Sequence, residues 1–165
     1  MSITHTTIAS PLGDLILVAE DATLSGVYFP GHWTRPDPAT FGERSEQGLE
    51  QVEQQLAEYF AGERTSFELQ TSVTGDAFQR QVWDLIGRIP YGQTATYGEL
   101  ASELGNPTLA RRVGQAVGHN PLSVIVPCHR VVGKDGTLTG YAGGLQRKRF
   151  LLDLEAPPDP AASLF

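Results

Sequence analysis

The apolar residues of this chain change period near Val73–Gly75, so one part must bury strand faces and the other helix faces. Before that point, Ile3 to Ala9, Leu15 to Ala19 and Val27 to Phe29 are short β-like runs, with a turn signal at Pro11-Leu12-Gly13-Asp14. Gly31 to Thr40, with Pro36 and Pro38, reads as a loop. From Gln47 to Ala61, Leu49, Val52, Leu56 and Tyr59/Phe60 recur at helical spacing until Gly62 stops the pattern. Thr65 to Thr71 alternates again and predicts another strand. Residues 1–72 therefore read as a small α/β domain of mostly antiparallel strands and one helix, with 73–75 as linker.

Residues 76–165 read as a helical second domain. Asp76 to Gly87 is amphipathic, with Phe78, Val82, Trp83, Leu85 and Ile86 on its apolar face. Thr96-Tyr97-Gly98-Glu99 matches a capping box and predicts a helix through Leu104, ended by Gly105-Asn106-Pro107. A second helix fits Leu109 to Val117, with Thr108 as N-cap and Gly118 as the stop. Two short helices across a tight turn make a helix-turn-helix, with Arg111 and Arg112 near the start of the second. Ser123 to Val126 reads as a buried strand, and Val131-Val132 and Leu138-Thr139 as a hairpin or wing around Asp135-Gly136. Leu145 to Leu154 reads as a last helix that Pro157-Pro158 cannot continue.

With 40% hydrophobic and 19% charged residues, the composition is that of an ordinary globular protein. No apolar run suits a membrane span, and the start lacks the pattern of a secretory signal. The single cysteine, Cys128, excludes an internal disulfide and a multi-cysteine zinc site; the expected location is the cytoplasm. The net charge of −7 speaks against nucleic acid, but it is unevenly spread. Residues 1–75 carry three basic and eleven acidic residues, a local −8, whereas residues 105–150 carry seven basic residues against Asp135, a local +6. Such a segment suits phosphates as well as it suits a merely solvated surface.

Chemistry concentrates at Pro127-Cys128-His129-Arg130. A thiol attacks as thiolate, and a neighbouring imidazole or guanidinium can lower its pKa or take its proton. Taken alone, the pair fits an inert buried cysteine as well as a nucleophile. In context it does more. Asn120-Pro121, Ile125-Val126-Pro127-Cys128-His129-Arg130-Val131-Val132 and Gly140-Tyr141-Ala142-Gly143-Gly144 follow the helix-turn-helix in order. With Ile89-Pro90-Tyr91-Gly92 and Gly105-Asn106-Pro107, they make residues 75–155 resemble the O6-alkylguanine-DNA alkyltransferase family, also called methylated-DNA–protein-cysteine methyltransferases.

The resemblance implies a small ribonuclease-H-like α/β domain followed by a helical, winged helix-turn-helix domain carrying the active site. It implies direct reversal of damage in double-stranded DNA: one irreversible transfer of an alkyl group from O6 of guanine, or O4 of thymine, to Cys128 after the base is flipped out. His129 would act as base through a water and Glu155 would orient its imidazole. Tyr97 would sit by the rotated phosphate and could protonate the leaving guanine. Arg111 would fill the space left by the extruded nucleotide, and Gln79, Gly98, Asn106 and Lys134 would face the DNA backbone. Asn120 would brace the helix-turn-helix against the active-site loop, and Val131, Tyr141 and Ala142 would line the base pocket. No cofactor, metal, membrane or obligate protein partner is implied.

Ala142 stands where serine is common, removing a hydroxyl contact to O6; Ser123 stands where proline is frequent; Arg112 follows Arg111 where a small residue is usual, so either arginine fits the wedge. Two other functions compete. A non-catalytic sensor of alkylated bases would lack the cysteine, and a Cys-His hydrolase would leave the basic helix-turn-helix unused.

Overall fold

The structure, a computed structural model, describes residues 2–32 and 34–156. Four strands form the first sheet: β1 (Ile3–Ile8), β2 (Leu15–Glu20), β3 (Thr23–Tyr28) and the two-residue β4 (Glu43–Arg44), in the order β3-β2-β1-β4. β1 and β2 pair antiparallel from Ile3 opposite Glu20 to Ile8 opposite Leu15, β2 and β3 pair antiparallel, and β4 joins β1 in parallel. Asp21 and Ala22 both have positive φ, 52° and 67°, the twist a two-residue hairpin needs. Helix α1 (Glu50–Phe60) shares its core with the inner face of the sheet: Leu15, Leu17 and Phe29 are buried with Leu49, Leu56 and Tyr59. The opposite face is covered by a 3₁₀ turn, Pro38–Phe41, which places Phe41 against Val18 and Tyr28. Gly62, at φ 77°, ends α1 as expected.

Residues 65–70 do not form the expected strand. The Gln55 side chain takes the part a neighbouring strand would play: its Nε2 donates to Glu68 O (3.2 Å) and its Oε1 accepts from Glu68 N (2.9 Å). Only Thr71 reaches the sheet, as a single bridge to Leu24. Farther along the same edge of β3, Val27 N donates to Pro121 O (2.8 Å) and Val27 bridges Leu122. The edge is thus closed by two crossing segments, and an edge so covered offers no template for another chain.

The remaining helices are α2 (Ala77–Gly87), α3 (Tyr97–Glu103), α4 (Ala110–Gly118) and α5 (Leu145–Glu155), with a parallel pair of two-residue strands, β5 (Ala95–Thr96) and β6 (Val131–Val132). The capping box of α3 forms as read: Thr96 Oγ1 accepts from Glu99 N and Glu99 Oε1 from Thr96 N, both at 3.0 Å. A second one, Asp76 with Gln79, opens α2. Trp83 Nε1 donates to Ala116 O (2.8 Å) and locks α2 to α4. The core is continuous from the sheet through Val82, Ile86 and Val113 to Leu151.

Four local expectations fail. Asn106, not Thr108, caps the turn into α4: its Oδ1 accepts from Thr108 N (3.0 Å) and Thr108 Oγ1 (2.7 Å), and a 3₁₀ turn, Pro107–Leu109, precedes the helix. Gly118 is helical; the C-cap is His119 at φ −103°. Residues 123–126 coil into tight turns, with Val126 N donating to Leu122 O (2.8 Å) and Val124 at φ 71°. The wing is a turn rather than a ladder: Gly133 N donates to Thr137 O (2.7 Å), and Val131-Val132 pair with β5 instead of with Leu138-Thr139. Pro157-Pro158 lie outside the described residues, as does the end of the expected second domain.

Candidate active site

The turns after α4 aim the Pro127–Arg130 segment. Asn120, buried, holds them: its Nδ2 donates to Val126 O (2.9 Å) and its Oδ1 accepts from Leu122 N (3.0 Å). Cys128 N then donates to Val126 O (2.7 Å), and Cys128–Arg130 form one 3₁₀ turn. This turn separates the three side chains, so Cys128 and His129 face different partners.

Behind His129 lies Glu155, the last residue of α5. Its carboxylate accepts from His129 Nε2 (2.7 Å), from Arg130 Nε (2.7 Å) and Nη2 (3.0 Å), and from the Tyr59 hydroxyl. Arg130 Nη1 donates to Ile89 O (2.6 Å). Burial opposes the charge on Glu155, but hydrogen bonds from His129 and Arg130 outweigh it and bring its pKa down to about 2. Burial lowers the pKa of His129, against the opposing pull of Glu155, so the imidazole is neutral. A carboxylate can only accept, so the proton of that neutral ring sits on Nε2 and the lone pair on Nδ1. Nδ1 is buried and has no hydrogen-bond partner among the described residues. It is a free base, held in one tautomer.

The Cys128 thiol is 4% exposed. Burial pushes its pKa up, against hydrogen bonding from Asn120 and the charge of Lys148. Adjacent His129 and Arg130 therefore do not make a resting thiolate; the sulfur is a protonated thiol that ionises only when a base takes its proton. Lys148 is fully buried on α5, donating to Val131 O (2.6 Å) and Thr139 O (3.1 Å), with its own pKa lowered to about 8 by burial. The Tyr141 hydroxyl faces the sulfur and Ser123 without closing a well-formed hydrogen bond to either, and burial raises its pKa well above the usual tyrosine value.

Cys128, His129, Glu155, Asn120, Val131, Tyr141 and Ala142 all lie in the buried part of this half of the chain. The others sit on the helix-turn-helix side. Tyr97, half-buried, packs on Gly114 of α4 and accepts from Thr139 Oγ1 (3.1 Å). Gly98 is in the first turn of α3, and Lys134 is exposed in the 133–137 turn. The side-chain oxygens of Gln79 and Asn106 are taken up by capping. Arg111 is exposed and has no hydrogen bond or ion pair among the described residues, whereas the Arg112 guanidinium lies 4.0 Å from the centre of the Phe78 ring.

Sequence reasoning missed Arg130, Lys148 and Tyr59 as site residues, and counted the first two as surface charge. Both are buried, and Arg147 is turned inward, so the exposed basic residues of the 105–150 segment are Arg111, Arg112, Lys134 and Arg149. A signal existed: Lys148, Leu151 and Glu155 fall on one stripe of a helix, and Leu151 is plainly interior. Among the described residues no three His, Cys, Asp or Glu side chains gather as a metal site would require, and no helix is long and apolar enough to cross a membrane.

Known proteins match this chain along almost its whole length. Residues 77–157 match the model of the 6-O-methylguanine DNA methyltransferase DNA-binding domain, and residues 3–73 that of the ribonuclease-like domain of the same proteins. The methylated-DNA–protein-cysteine methyltransferase of Mycobacterium tuberculosis is 46% identical over 167 residues, 96% of each chain. The constitutive methylated-DNA–protein-cysteine methyltransferase of Bacillus subtilis is 41% identical, over 92% of this chain and 94% of its own. Among solved structures, Mycobacterium tuberculosis OGT in complex with DNA superposes with a TM-score of 0.86 at 43% identity, covering 93% of this chain and 95% of that one.

Proposed function

The chain belongs to the 6-O-methylguanine DNA methyltransferase family, and from that premise we propose that it repairs duplex DNA by moving an alkyl group from O6 of guanine to the sulfur of its own Cys128. The observation that carries the reading is the Glu155–His129 pair beside Cys128, which leaves a buried imidazole nitrogen with a lone pair and nothing else to bond.

Chemistry follows from that arrangement. The O6 substituent lies inside the base stack, so the guanine must leave it; the unstacking costs a few kcal/mol, offset by phosphate contacts and a wedge. Arg111 is the wedge in this reading, since Arg112 is held over Phe78. Gln79, Gly98, Asn106 and Lys134 serve the backbone, and Val131, Tyr141 and Ala142 receive the base. His129 takes the thiol proton on Nδ1 through a water, and Lys148 and the Asn120 amide favour the resulting thiolate. The sulfur attacks the saturated carbon: an S–C bond forms, the C–O6 bond breaks, and its electron pair passes to the guanine, which Tyr97 protonates. The thioether has no return path, so each molecule acts once. O4-alkylthymine presents the same bond and is a second substrate.

Residues 1–72 are the small ribonuclease-H-like α/β domain and 76–165 the DNA-binding and transfer domain, joined at 73–75. The protein works in the cytoplasm, with DNA as its partner and no obligate protein partner. Incubation with O6-benzylguanine followed by intact-mass measurement tests the proposal. One benzyl group per chain is expected, on Cys128, with none in Cys128→Ser, which keeps its affinity for DNA. An unmodified wild-type mass, or a modified Cys128→Ser, overturns it.

A further inference from the structure

Arg147 is absent from the chemistry above, yet its side chain joins three segments. From the start of α5 its Nε donates to Leu12 O (2.9 Å), and its Nη1 donates to Pro30 O (3.1 Å) and to Gly143 O (2.9 Å). Leu12 lies in the β1–β2 turn and Pro30 just after β3, so both belong to the first half of the chain; Gly143 belongs to the loop that bears Tyr141 and Ala142. The guanidinium also lies 5.1 Å from the centre of the Phe29 ring. Phe29 is fully buried and presses on that loop, its ring 6.0 Å from that of Tyr141. The fit leaves no room: a Cβ on Gly143 would come within 2.5 Å of Phe29 and 2.9 Å of Tyr141.

We propose that Arg147 is a positioning residue which, with Phe29, clamps the 140–144 loop to the first sheet and so sets the wall of the base pocket. Its neighbour Lys148 holds Val131 O and Thr139 O, so consecutive residues of α5 fix both the start and the end of the segment between Cys128 and the pocket wall. One planar fork with several donors suits this task, because three carbonyl oxygens converge on it with no carboxylate partner. The first half of the chain thereby contributes to transfer through the pocket wall. The proposal rests on the alkyl-transfer reading for its effect on rate, but not for the clamp itself.

The test compares wild type, Arg147→Ala, Gly143→Ala and Val52→Ala. Val52→Ala sits in α1 and controls for lost stability. Time courses with free O6-benzylguanine, followed by intact mass, give a half-saturation concentration and a limiting rate. Hydrogen exchange reports on residues 140–144. Both loop variants are expected to raise half-saturation by about tenfold or more while the limiting rate changes far less, as misplacement of a binding wall does. Their 140–144 amides should exchange faster while those of α2 do not. Gly143→Ala perturbs the same contact from the loop side and keeps the test alive should Arg147→Ala fold poorly. Half-saturation like that of wild type, or a rise matched by Val52→Ala at equal loss of Tm, overturns the proposal. If wild type itself takes no benzyl group, the alkyl-transfer reading fails, and loop exchange alone decides the clamp.

Discussion

Replacing Glu155 by Gln removes one charge from a buried cluster and keeps its shape. The carboxylate is 2% exposed, so its depressed pKa converts to stability with little loss to solvent screening. A fall from 4.5 to about 2 corresponds to about 3 kcal/mol at 1.36 kcal/mol per unit. Breaking a buried ion pair on one side gives a similar figure, about 3–5 kcal/mol, because Arg130 is left without its counter-charge. The folded pKa is the lower one, so this stability is fully present well above pH 4.5 and disappears as pH falls toward 2. Urea unfolding of wild type and Glu155→Gln at a series of pH values measures the difference. It should be about 3 kcal/mol at pH 7 and shrink to about 2 kcal/mol by pH 3.5. Transfer to Cys128 should slow by about 10² or more, since a carboxylate can only accept from the imidazole whereas an amide can also donate to it and so no longer fixes its tautomer. A gap below about 1 kcal/mol, or one that does not narrow with acid, would mean that Glu155 is not the counter-charge of this cluster.

The two arginines at the start of α4 should separate cleanly. Arg111→Ala is expected to slow repair of duplex DNA about tenfold or more while sparing reaction with free O6-benzylguanine; equal losses on both substrates would remove Arg111 as the wedge. Arg112→Ala should cost about 0.5–1 kcal/mol of stability through the lost contact with Phe78, read by denaturation, with little effect on the ratio of duplex to free-base rates. Lys148→Met should slow alkylation of Cys128 by about tenfold for each unit the thiol pKa rises, measured with iodoacetamide. Wild type should also lose stability as pH falls from 10.5 to about 8, because the unfolded chain takes up the lysine proton first; the methionine variant should lack that slope.

What could be read from the chain beforehand was local. The Thr96–Glu99 box, the apolar spacing of α1 and α2 and the order of the motifs around Cys128 all lie within a few turns of sequence. The failures were set by hydrogen bonds that the apolar pattern does not show, some from far along the chain and some from a few residues away. Residues 65–70 alternate like a strand, yet Gln55, more than ten residues away, takes the hydrogen bonds. Val131-Val132 could pair with either side, and β5, from before the helix-turn-helix, takes them. Ser123 to Val126 is apolar enough for a strand, but Asn120 binds both Leu122 N and Val126 O and folds the segment back on itself. Arg130, Arg147 and Lys148 read as surface charge because their counter-groups are backbone carbonyls and Glu155, none visible as a pattern. The state of the thiol was no more legible: adjacency allowed either a lowered pKa or an inert buried cysteine, and burial raises the pKa.

The acceptor that sets the imidazole tautomer arrives late, 26 residues downstream of His129 and on the final turn of α5. During translation the nucleophile is therefore made well before the group that prepares its base. A nascent or truncated chain that contains Cys128 but not Glu155 carries the sulfur beside an imidazole whose tautomer nothing has yet fixed.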